Sequence, residues 1–104
     1  MKLYAFTAVF TPESKEPEMY NVSVPAIPEI CTFGNSFEEA RFMAQDALEL
    51  VVLSLLEEGE PVPHDIKPKH VSKNAKVEQI VVSVVHQVSS APASYVKSAV
   101  FNTT

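Results

Sequence analysis

The side chains able to do chemistry are few and scattered. Two-metal hydrolysis needs carboxylates clustered tightly enough to clamp the attacking and leaving oxygens. The only aspartates are Asp46 and Asp65, 19 positions apart, and Glu78 stands near the start of a β-branched run. His64 and His70 flank Pro68, His86 is distant, and Cys31 belongs to no Cys-x-x-Cys or His-x-x-x-His spacing, so no zinc site is expected. Cys31 has no basic neighbour in sequence that would lower its pKa, and it is expected as a small buried apolar side chain rather than a nucleophile. Gly34 and Gly59 are the only glycines, too few for a phosphate-cradling loop. The residues therefore predict no catalytic apparatus, no cofactor and no metal, which leaves binding. Two sets could carry it: acidic and apolar side chains on one long helix, and the lysines Lys67, Lys69, Lys73 and Lys76, whose spacing could meet phosphates.

Those sets must be positioned by a single small domain, since 104 residues at 46% hydrophobic and 20% charged suit one core and no second full one. Leu3 to Thr11 alternates with apolar residues on both faces, and Pro12 closes it, which predicts a strand buried on both sides. A polar loop through Thr11–Glu18 leads to Met19–Val24, a strand with Tyr20, Val22 and Val24 inward and Asn21 and Ser23 wet. A short third strand is expected through Ile30–Phe33. Ser36-Phe37-Glu38-Glu39 has the form of a capping box and opens a helix from about Phe37 to Glu58, with Gly59 and Pro61 at its stop. Phe37, Ala40, Ala44, Ala47, Leu48, Val51, Val52 and Leu55 share one arc and should lie on the sheet. Phe42, Met43, Leu50 and Leu53 point roughly the other way, among Glu39, Asp46, Glu49 and Glu57, and one sheet cannot cover both sides. This second set, with Asp46 and Glu49, is the expected partner or oligomer interface. After a proline-punctuated, linker-like connection, Val77–Val85 predicts a strand buried on both faces. The expected domain is residues 1–86, with 87–104 a tail that could add a strand, form a short helix or be exchanged with a second copy.

The net charge of −5 is uneven: residues 1–60 hold three basic against eleven acidic side chains, whereas residues 61–104 hold five against two. That balance lacks the basic footprint of a non-specific nucleic-acid binder, and an acidic face would suit a basic protein. No apolar run approaches the ~20 residues of a membrane span, the N-terminus has no leader pattern and one cysteine makes no internal disulfide, so a cytoplasmic protein without membrane contact is expected.

The order of elements coincides with particular words: Tyr4-x-Phe6, Tyr20-Asn21-Val22-Ser23-Val24-Pro25, Ile27-Pro28, then Thr32-x-Gly34-x-Ser36-x-Glu38-Glu39-Ala40. Asp46-Ala47-Leu48-Glu49-Leu50 and Glu57-Glu58-Gly59-Glu60-Pro61-Val62-Pro63 follow. Over residues 3–64, and more loosely over Val77–Val85, the chain resembles the HicB-like antitoxins. The resemblance implies an α+β fold, a truncated ribonuclease H arrangement of about four mostly antiparallel strands with one long helix on a face. It also implies a non-catalytic protein that masks a small basic ribonuclease toxin, HicA. Two departures accompany it. Where the family has Gly-Cys after Pro28 this chain has Glu29-Ile30, so Cys31 is not the family cysteine. The 18 residues after His86 are too few for a helix-turn-helix and poor in basic residues, so the chain looks like the stand-alone members, for which nucleic acid is an unlikely ligand. Two functions of different class follow: an antitoxin-like protein binder, or an oligomeric domain of structural or regulatory role with another ligand. A homo-oligomer, dimer or tetramer, is expected in either.

Overall fold

The computed structural model describes residues 2–84; the expected tail, 87–104, lies outside them. Alternating residues build β1 (Lys2–Pro12), β2 (Tyr20–Ser23), β3 (Cys31–Gly34) and β4 (Lys76–Val84), and α1 spans Phe37–Glu57. The strands form one antiparallel sheet in the order β3-β2-β1-β4, with α1 against one face, so the fold is α+β as expected. The inner face gathers Phe6, Ala8, Phe10, Val22, Ile80, Val82 and Val84 under Ala40, Ala44, Leu48 and Val52 of the helix. Small residues at the first two positions of the buried stripe, Ala40 and Ala44, let α1 settle close to the sheet. Gly34 marks the tightest approach: a Cβ there would stand 2.3 Å from the Ala40 amide nitrogen.

The helix ends follow the sequence closely. The Ser36 hydroxyl accepts the Glu39 N–H at 3.1 Å, while the Glu39 carboxylate reaches one residue past the expected partner and accepts the Asn35 N–H at 2.9 Å. At the other end Gly59 takes a φ of 73°, Gly59 N–H donates to the Leu56 carbonyl and Glu60 N–H to the Leu55 carbonyl, a Schellman motif. Phe37 meets Phe10 and Tyr20 edge-on, at centroid separations of 5.1 and 5.3 Å, and the Lys76 ammonium sits 4.3 Å from its ring centre. That cluster pins the first turn to the sheet.

Four expectations need correction. β4 is buried on its inner face only: Val77 and Val81 are 45% and 51% exposed, because among the described residues no layer covers the outer face there. β1 is two-sided only from Phe6 to Phe10; Leu3 and Ala5 are exposed. The third strand begins one residue late, at Cys31, with Ile30 buried ahead of it. Cys31 is exposed, since it pairs with Ser23 and shares that residue's outer face at the sheet's margin.

The connection after α1 is not a free linker. It reaches the outer face of β1, where Asp65 accepts the Thr7 N–H at 2.7 Å and the Thr7 hydroxyl at 2.7 Å. β2 pairs with β1 only as far as Val9↔Ser23, so the Thr7 amide has lost its ladder partner and the carboxylate replaces it. Lys67 completes the group, donating to the Thr7 hydroxyl at 3.2 Å and standing 3.7 Å from Asp65. The strap explains why Thr7, a polar residue, is 1% exposed. Burial by itself pushes the Asp65 carboxyl up, but the Thr7 hydrogen bonds and the Lys67 charge outweigh it and leave the pKa below the usual value.

Candidate partner-binding surface

The outer face of α1 follows from its length and composition. A helix on one sheet face turns about half its circumference to water, and here that half carries Glu38, Glu39, Asp46 and Glu57, all exposed. Among them Phe42 is 67% exposed and Leu50 58%, so two large apolar side chains stand in an acidic field. Arg41, the one basic residue of α1, is turned away from this field to the Glu78 carboxylate of β4, 2.9 Å away. At half exposure that pair contributes little energy, but it ties the one cation of α1 to β4.

The expected interface residues separate into two groups. Phe42, Asp46 and Leu50 are fully on the surface, while Met43 and Glu49 are half-buried at its margins. Leu53 does not belong: it is half-buried and packs against the core. The buried stripe Ala40, Ala44, Leu48, Val52 advances four residues at a time, and each step overshoots a full turn by ~40°. By Val52 the stripe has wound ~120° around the helix, and the core reaches Leu53 and Leu56. A single arc drawn over the whole helix misses this drift.

The lysines are not a uniform phosphate site. Lys67 is engaged with Thr7 and Asp65, and Lys76 lies over the Phe37 and Tyr20 rings; Lys69 and Lys73 are exposed. Asp46 and Asp65 fall on opposite sides of the sheet, one on the helix surface and one on the outer face of β1, and His64 and His70 are exposed. Among the described residues no group of three or more His, Cys, Asp and Glu side chains could hold a metal ion. None of the described helices is long and apolar enough to cross a membrane. Sequence reasoning missed the Asp65 strap. Its signal was Thr7, a hydroxyl in the middle of an otherwise apolar two-sided strand.

A four-stranded antiparallel sheet with one long helix across a face, acidic on its outer side, defines a small α+β sheet-and-helix domain. The family profile for the HicB-like antitoxin of bacterial toxin–antitoxin systems matches residues 6–101, and the chain belongs to that family, which is non-catalytic. Among solved structures, the fold is similar to a toxin–antitoxin complex from Streptococcus pneumoniae (17% identity, TM-score 0.66, 94% of this chain and 87% of that one). It is also similar to the Burkholderia pseudomallei antitoxin HicB (18% identity, TM-score 0.66, 95% and 81%) and to the N-terminal domain of that antitoxin (19% identity, TM-score 0.59, 78% and 100%). At these identities the structures speak for the fold alone. A search of curated proteins gives no match.

Proposed function

We propose that this antitoxin acts in the cytoplasm by holding and masking a small basic ribonuclease toxin of the HicA type, through the outer face of α1. The observation that carries the reading is the exposure of Phe42 and Leu50 within a field of carboxylates, where the one cation of α1, Arg41, is paired with Glu78. A basic partner would find the carboxylates at long range, and the two apolar side chains would be desolvated once it docks. The S. pneumoniae relative, described as a toxin–antitoxin complex, supports a protein partner. Residues 1–60 supply most of the acidity and residues 61–104 hold most of the lysines. Self-association is part of the same reading, supported by exposed apolar residues on a second surface, Leu3, Val77 and Val81. The test is copurification of the chain with a basic toxin encoded beside it, and inhibition of that toxin's RNA cleavage on addition of the chain. Leu50→Asp should speed dissociation by tenfold or more while the free chain stays folded. Equal inhibition by the wild type and a Phe42→Asp, Leu50→Asp double variant would refute this face. RNA cleavage by the purified chain itself, lost on mutating Asp46 or Asp65, would refute the non-catalytic role.

A further inference from the structure

The connection between α1 and β4 is held down at few points, and it carries no helix or strand of its own. Val62 packs against the core. Beyond it three hydrogen bonds converge on one place: Thr7 N–H and the Thr7 hydroxyl donate to the Asp65 carboxylate, and Lys67 donates to the hydroxyl oxygen. Among the described residues no other hydrogen bond or ion pair joins residues 63–71 to the sheet. Apolar burial adds little, since Ile66 is 53% exposed and Val71 39%.

Neighbouring amides of β1 are therefore secured by different groups. Thr7 N–H goes to Asp65 rather than toward β4, so Thr7 and Gln79 form a non-hydrogen-bonded pair in the β1–β4 ladder. Bonded and non-bonded pairs alternate in an antiparallel ladder, which gives Phe6 and Ala8 the bonds to Ile80 and Glu78. The sheet holds Phe6 and Ala8, whereas a side chain from the connection holds Thr7, although all three residues are equally buried.

We propose that residues 63–71 form a latch that opens as a unit while the sheet and helix stay folded, with Asp65 as its catch. Opening breaks only the side-chain bonds at Thr7, and no ladder or helix bond is lost. Segments with few buried apolar contacts and few hydrogen bonds belong to the low-stability end of a structure. Pro63 and Pro68 restrict the backbone, so the segment swings as a stiff piece rather than fraying residue by residue. Both ends can pivot. Val62 stays in the core, and the Ser72 carbonyl accepts the Ala75 N–H in a turn beside an open groove that separates Ser72 and Asn74 from Pro12, Pro17 and Tyr20. The open state bares the Thr7 amide and hydroxyl and leaves the outer face of α1 as it is, so the latch stands apart from the partner-binding reading.

Amide hydrogen exchange of the full chain, followed by NMR over a series of sub-denaturing urea concentrations, tests the proposal. The Thr7 amide should be protected about 10²–10⁴-fold, the scale of two hydrogen bonds to a charged group, and its rate should be nearly flat in urea because opening exposes little surface. Phe6 and Ala8 should exchange more slowly, with rates that climb as urea is raised. Asp65→Ala should raise the Thr7 rate by about a hundredfold or more while Phe6 and Ala8 keep their urea slopes. Thr7→Val, which keeps the amide and removes the hydroxyl, should raise that rate by about tenfold. A Thr7 amide that shares the rate and urea slope of Phe6 and Ala8 overturns the latch, since the connection then opens only with the sheet. A Thr7 rate unchanged in both variants overturns it as well, because Asp65 would not be the catch.

Discussion

At the scale of single residues, Asp65 joins the chain's two halves more than any other polar side chain. It answers an amide and a hydroxyl of a strand 58 positions earlier, and its side chain is only 20% exposed. Asp65→Ala leaves the Thr7 amide without a partner in a covered place and should lower stability by about 1–3 kcal/mol in urea unfolding. The same substitution has a pH signature. Because the folded state holds the Asp65 pKa below its usual value, its contribution is complete above the unfolded value of ~3.9 and is lost as pH falls through the lower folded value. The alanine variant should thus lose less stability than the wild type as pH falls below about 4; parallel acid-unfolding curves would show that the carboxylate carries no linkage. Gly34 is a second such residue. Gly34→Ala drives a methyl group into the backbone of Ala40 and should cost about 3 kcal/mol, near the top of the overpacking range, measured by the same unfolding. The Asp65 contact could not be seen in the sequence because nothing local links Asp65 to Thr7; only the misplaced hydroxyl in β1 hinted at a partner.

At the scale of elements, α1 was the most legible part of the chain, because its start, its stripe and its stop are all local. Ser36, Glu39 and Gly59 act within a few residues of themselves, and their hydrogen bonds form nearly as the spacing requires. Ser36→Ala removes the acceptor for the Glu39 amide and should lower the melting free energy by about 1 kcal/mol, with the loss recovered by Ser36→Asp. The strands were legible in position but not in burial. A run such as Val77-Glu78-Gln79-Ile80-Val81-Val82 shows that apolar residues face both ways, yet it cannot say which face receives a layer. Here the helix covers the inner face, the strap reaches Thr7 on the outer one, and among the described residues nothing covers Val77 and Val81. Leu53 was misplaced for a related reason: its surroundings depend on how far the buried stripe has wound around the helix, a tertiary quantity.

At the scale of the whole molecule, the fold separates two surfaces with different chemistry: an acidic helix face and a lysine-bearing connection partly consumed by the strap. The separation assigns different kinetic roles to charge and packing on the helix face. Glu39, Asp46 and Glu49 lie where a basic protein would approach, and at ordinary salt their field extends about 8 Å, far enough to bias the encounter but not to fix the docked geometry. Replacing all three by lysine reverses the local sign while leaving the core residues Ala40, Ala44, Leu48 and Val52 untouched. The expected outcome, read by stopped-flow mixing with a basic toxin over a series of salt concentrations, is an association rate lowered by tenfold or more at low salt. Raising the salt should slow the wild type and leave the variant flat or accelerate it, so the two converge once the field is screened. Dissociation should change much less, because that rate reports the desolvated contacts around Phe42 and Leu50 rather than the long-range field. An association rate that ignores both salt and the triple replacement would mean the partner docks elsewhere, and the acidity of α1 would then serve only solubility.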